Sequence, residues 1–128
     1  MAGGVKCACG DEAVTLIFTC SGASNVGQIA HLAGLRLSEQ GIGDMSCLAG
    51  VGAHISGFVV SARDCDKLVA IDGCPQLCAL KTFEHHDIKP AVHVCLTEQG
   101  FKKSHEIPVT DADVQRAARL ITDKIGSC

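Results

Sequence analysis

Several things are scarce in this sequence. Tryptophan and tyrosine are absent, and only four phenylalanines and three prolines occur in 128 residues. No apolar run reaches the ~18 residues needed to cross a bilayer. The opening stretch, MAGGVKCACG, lacks the apolar core of a secretory signal. Positive charge is not in excess either: 11 basic against 14 acidic residues give a net charge of -3. Nothing here makes the basic face that nucleic acid or an anionic membrane surface requires. Repeats and low-complexity segments are missing as well. These absences lead us to expect a soluble cytoplasmic protein with neither nucleic acid nor membrane as a partner.

What is present in quantity is cysteine, at nine residues. A reducing cytosol keeps thiols free, so structural disulfides are the weaker account of an odd count in a chain without a secretory context. Metal binding or thiol chemistry gains weight instead. With 47% apolar residues the chain is long enough for one buried core. We expect one α/β domain over residues 13–128, preceded by a flexible, cysteine-bearing tail over residues 1–12.

Hydrophobic patterning gives the order of elements. VTLIFT, residues 14–19, reads as a buried strand, and CSGASN follows as a turn-rich loop in which Ser24 or Asn25 can cap a helix. Val26, Ile29, Ala30, Ala33 and Leu37 recur at helical spacing until Gln40 and Gly41. A short strand is expected over residues 44–46, then Cys47, a glycine-spaced loop LAGVGA, and a small helix carrying Ile55, Phe58, Val59 and Ala62. DKLVAI, residues 66–71, is the third strand. Pro75 suits the first position of a helix running to about His85, with Cys74 as its cap. AVHVCLT, residues 91–97, is the fourth strand. A last helix opens at Thr110, buries Val114, Ala117, Ile121 and Ile125, and ends at Gly126.

Strands alternating with helices predict a three-layer arrangement: a mostly parallel four-stranded sheet with helices on both faces, Rossmann-like or flavodoxin-like. Cys20, Cys47 and Cys74 then each leave the carboxyl end of a strand, where open α/β sheets build their sites. Cys78, about one turn beyond Cys74, joins them, and a helix opening at Pro75 would present free N–H groups that favour Cys74 as a thiolate. Four thiolates make a closed tetrahedral zinc site, with Zn–S near ~2.3 Å and an apparent binding energy of roughly 10–16 kcal/mol. Their softness would also accept Cu(I), cadmium or an iron–sulfur cluster.

IDGCPQLC followed by Ala79-Leu80-Lys81, with CSGASNVGQIAHLA upstream, MSCLAGVGAHI between them and LTEQGFKK downstream, resembles the DGC domain family over residues 14–103. The resemblance implies a zinc-binding protein whose cysteines correspond to Cys20, Cys47, Cys74 and Cys78, and it carries no established reaction.

Other residues take lesser roles. Asp72 is a candidate for orienting a metal ligand, or a turn residue before Gly73. His54 is held in reserve as a ligand or base; its bland role is to start a helix. His85, His86 and His105 read as solvated surface groups. Cys95, inside a strand, reads as a small buried hydrophobe. Cys65 is undecided, and Cys7, Cys9 and Cys128 are not assigned. Gly22, Ser24 and Asn25, at a helix start, are a candidate anion cradle.

Two enzymatic readings stand beside metal binding. CSGASNV follows the strand–loop–helix plan of phosphatase loops, yet valine stands where their Cys-x5-Arg pattern needs arginine to hold charge. A thiol oxidoreductase or sulfur-transfer protein would use Cys74 to attack and Cys78 or Cys20 to resolve, although the Cys74–Cys78 spacing is not Cys-x-x-Cys.

Overall fold

A computed structural model describes residues 13–127. Cys7, Cys9, Cys128 and the expected tail over residues 1–12 lie outside them. The elements run β1 (Thr15–Thr19), α1 (Asn25–Glu39), β2 (Asp44–Met45), α2 (Leu48–Gly52), α3 (Ser56–Asp64), β3 (Lys67–Asp72), α4 (Cys78–Glu84), β4 (Val92–Cys95) and α5 (Asp111–Ile125).

The four strands form one parallel sheet in the order β2-β1-β3-β4. Helices cover both faces. Ile17, Val69, Ile71 and Val94 pack under α1 and α5 through Ile29, Ala33, Leu37, Ala117 and Ile121. Phe18, Leu68 and Ala70 face the other way, onto Val51, Ala62, Ala79 and Phe83 of α2, α3 and α4. Every residue of β3 is buried, as a central strand covered on both faces requires. Phe18 and Phe83 meet edge-on with ring centroids 5.1 Å apart. Two of the four phenylalanines thus anchor the second layer, each stabilising it by about 1.5–3 kcal/mol on burial.

Helix ends follow their capping residues. The Ser24 side chain accepts from the Gly27 N–H at 3.2 Å, as the sequence predicts. Thr110 and Asp113 close a reciprocal capping box at the start of α5. Lys67 is buried, and its ammonium donates to the Ile125 carbonyl at 3.1 Å, occupying an acceptor at the far end of that helix.

Three expectations are corrected. The segment after Cys47 is a short helix, α2, because Gly50 allows close packing: its missing Cβ would lie 2.5 Å from the Phe58 ring. The fourth strand ends at Cys95, and Leu96–Gln99 winds into a 3-10 turn closed by Gly100 at φ 91°. The third correction concerns Pro75. Cys74 through Leu77 form a turn closed by the Leu77 N–H on the Cys74 carbonyl at 3.1 Å, and α4 begins three residues later, at Cys78. Proline suits a turn as well as a helix start, so its fixed φ did not separate the two.

Candidate functional site

In the order β2-β1-β3-β4 the chain reverses direction across the sheet between β1 and β3, and the loops leaving these strands part to opposite faces. A crevice opens at that point in such folds. Here it is a cavity of about 200 Å³. Cys20 leaves β1 into it, and Gly73, Cys74 and Cys78 leave β3 into it. The loop over residues 102–105 supplies Lys103 and His105 from the side. Three of the four expected thiols therefore line one space. The fourth, Cys47, is exposed and lines a neighbouring hollow with Met45 and Thr82. Ser21 borders both spaces.

The segment Asp-Gly-Cys has a separate physical task at each position. Asp72, 1% exposed at the end of β3, accepts hydrogen bonds from the N–H groups of Ala79 (2.7 Å) and Leu80 (3.1 Å). It also pairs with His93 Nε2 on β4 at 2.8 Å. Since Leu77 caps α4 without a side-chain hydrogen bond, this carboxylate satisfies the helix start from outside and fixes where Cys78 stands. Asp72 thus orients a candidate ligand through the backbone.

Gly73 lies against the first turn of α1. A Cβ there would stand 2.6 Å from the Val26 carbonyl carbon and oxygen. Its N–H donates to the Cys20 sulfur at 3.2 Å, and its carbonyl accepts from Thr97.

Cys74 is half-buried, and Lys103 Nζ reaches its sulfur at 3.5 Å. The helix-terminus effect expected for Cys74 is replaced by this ammonium, because α4 starts further on. Leu77 holds φ 55°, a left-handed conformation that branched and bulky residues rarely adopt, and so keeps the cavity-lining turn tight. Cys20 is buried. Desolvation pushes its thiol up from an ordinary 9.0 to about 11, against the lowering effect of the Gly73 N–H, with Asp72, Cys78 and Cys74 adding to the rise.

The remaining expectations fall elsewhere. Ser24 serves as the α1 cap. The Asn25 side chain accepts from the Ser104 N–H at 2.7 Å and donates to the Lys102 carbonyl at 2.8 Å. Both side chains of the candidate anion cradle thus have protein partners, while Gly22, at φ 132°, lines the cavity and accepts from the Gln28 amide. Val26, at the position a phosphatase loop would give to arginine, is fully buried. His54 stands outside the cavity, against His85 and His86. Cys95 is buried with its sulfur 3.3 Å from Thr97 Oγ1, and Cys65 ends α3 with its thiol donating to the Ala62 carbonyl. Sequence reading missed Lys103, His105 and His93.

The donors suit a soft or borderline cation: three sulfurs, one already accepting an amide N–H, beside an ammonium that balances negative charge. Among the described residues, no group of three or more His, Cys, Asp or Glu side chains is already arranged to hold a metal ion. Closing a four-sulfur site would require the exposed Cys47, which lines the neighbouring hollow, to reach the other three.

A family model described as DGC domain matches residues 16–121. Among curated proteins, the chain is 37% identical over 113 residues to the Anaerobic and virulence modulator AnvM of Pseudomonas aeruginosa, covering 88% of this chain and 84% of that protein. No solved structure matches. No helix among the described residues is long and apolar enough to cross a membrane.

Proposed function

For a chain that belongs to the DGC domain family, we propose that the crevice between β1 and β3 is a thiolate site for zinc, with Cys20, Cys74 and Cys78 as ligands and Cys47 as the fourth. The observation that carries this reading is the meeting of three thiols, from the loops that leave β1 and β3, in one cavity of about 200 Å³. Three cysteines placed without a common purpose would not line one crevice at the exit of a sheet. Bound there, zinc would supply a cross-link between the ends of β1, β2 and β3. Free thiols at a solvent-reached cavity suit a reducing compartment such as the cytoplasm.

The relative's name, an anaerobic and virulence modulator, supports a regulatory task over an enzymatic one. A thiolate zinc site fits that task, because oxidation of the sulfurs releases the ion. One contact favours a second reading: the Lys103 ammonium beside Cys74 would suit an attacking thiolate in thiol oxidoreduction, with Cys78 or Cys20 resolving it.

The test is native mass spectrometry with elemental analysis on protein purified anaerobically without chelator, for the intact chain and for Cys→Ala changes at 20, 47, 74 and 78. One zinc per chain, lost in each variant and kept in Cys95→Ala, is the expected result. A folded, metal-free protein that forms a disulfide at Cys74 under mild oxidant would overturn zinc in favour of the second reading.

A further inference from the structure

The cluster of His54, His85 and His86 belongs to neither the cavity nor its neighbour. His54 follows α2, whereas His85 and His86 follow α4, at the opposite end of that helix from Cys78. The three rings meet pairwise, with centroids 5.2 Å apart for His54 and His85, 4.5 Å for His54 and His86, and 5.6 Å for His85 and His86. Three imidazoles on one tetrahedral ion, at Zn–N of ~2.0–2.1 Å, place their ring centres about 5 Å apart. The observed spacings bracket that value on all three sides.

A further observation points the same way. His86 Nε2 lies 2.9 Å from the Val51 carbonyl. A carbonyl only accepts, so this nitrogen carries the hydrogen, and in the neutral ring Nδ1 keeps its lone pair. Histidines that bind metals hold their second nitrogen in this way, on a backbone carbonyl or carboxylate. His54 is the left-handed residue, at φ 62°, that closes α2: its N–H donates to the Val51 carbonyl and the Ile55 N–H to the Gly50 carbonyl, both at 3.0 Å. That turn sets its ring against the other two. Arg63 donates to the His86 carbonyl at 2.9 Å and anchors that end of the cluster.

From these contacts we infer that His54, His85 and His86 bind a borderline divalent transition-metal ion, of the class of zinc, nickel or copper, at a second site separate from the thiolates. Neutral imidazole suits these ions, whereas hard cations prefer oxygen. Among the described residues no three such side chains are already arranged to hold an ion, these included. His54 and His85 are exposed, so their rings can rotate onto an ion without disturbing the core.

The remaining histidines make the test clean. His31 and His105 line the two hollows beside the thiols, and His93 bonds Asp72, so those three report the thiolate cavity. His54, His85 and His86 report the second site. Imidazole proton–nitrogen correlation spectra of the full chain are recorded during stepwise addition of zinc chloride without oxygen. The expected result is that the rings of His54, His85 and His86 shift together and saturate with one equivalent of ion, counted after any that the thiolates take up first and whether or not the other three rings respond. His54→Asn, which tolerates the left-handed backbone, and His86→Gln should each weaken that event at least ~10-fold, the loss that even an outer partner's removal causes. Both should leave the other three rings' response unchanged. Rings that shift independently of one another, that fail to saturate with one equivalent, or that keep their affinity in both variants would overturn the assignment.

Discussion

Gly73→Ala adds one methyl group where α1 and β3 come closest. The new Cβ would meet the Val26 carbonyl carbon and oxygen at 2.6 Å and the Gly27 nitrogen at 2.9 Å. Ordinary carbon contacts lie at ~3.5–4.0 Å, so the two backbones must part by about 1 Å. Neither is the end of a flexible side chain. α1 is held on its far side by α5 and capped at Ser24, while Gly73 is held by Cys20 and Thr97. Overpacking of this kind costs about 1–3 kcal/mol. For a domain of this length that lowers the melting temperature by roughly 4–12 °C in thermal unfolding followed by circular dichroism. The Cys20 sulfur loses its N–H partner in the same movement, so its alkylation rate in the folded protein should change as well. Gly57→Ala is the comparison: a Cβ there meets nothing within 4 Å, and alanine suits the interior of α3. A Gly73→Ala protein whose melting point falls by less than about 2 °C would refute the close-approach argument.

Two other outcomes follow from the same corner of the fold. Asp72→Ala leaves the buried N–H of Ala79 and the part-buried N–H of Leu80 without partners and should destabilise the chain by about 1–3 kcal/mol for the first and less for the second in denaturant unfolding; Asp72→Asn, which keeps one acceptor oxygen, should lose less, and equal losses would argue against a capping role. Because the buried Cys20 thiol stays protonated up to about 11, metal-free protein should lose stability as pH climbs from 9 to about 11. In that window the unfolded chain gives up the proton that the native state still binds. Cys20→Ala should flatten that slope, and an unchanged pH profile would count against it.

Much of the fold was legible in the sequence because the signals were local. A short, uninterrupted, β-branched apolar stretch such as LVAI reads as a strand buried on both faces, and Thr110 caps the helix that opens at the next residue. Parallel pairing followed from alternation, and with it the exit of Cys20 and Cys74 on one edge. Legibility failed where local chemistry was ambiguous or the determinant was distant. Pro75 fits a turn and a helix start equally well, and the choice fell to Asp72, which binds the helix from across the turn. His54 and His85 are 31 residues apart and share no periodicity, so only the packing of α2 beside α4 could bring them together. Lys103 depends on a loop whose course no pattern of apolar residues dictates.

That loop is held by Asn25. The first residue of α1 clasps the backbone of residues 102 and 104 with both ends of its side chain and with its own N–H, which donates to the Ser104 carbonyl at 2.9 Å. One wall of the thiol cavity is therefore fastened to the sheet's first crossover by three hydrogen bonds, across 79 positions of sequence. Releasing them would open the cavity sideways while every strand stays paired, a local opening far less costly than unfolding. The cavity wall that carries Lys103 thus answers to a residue in the first third of the chain.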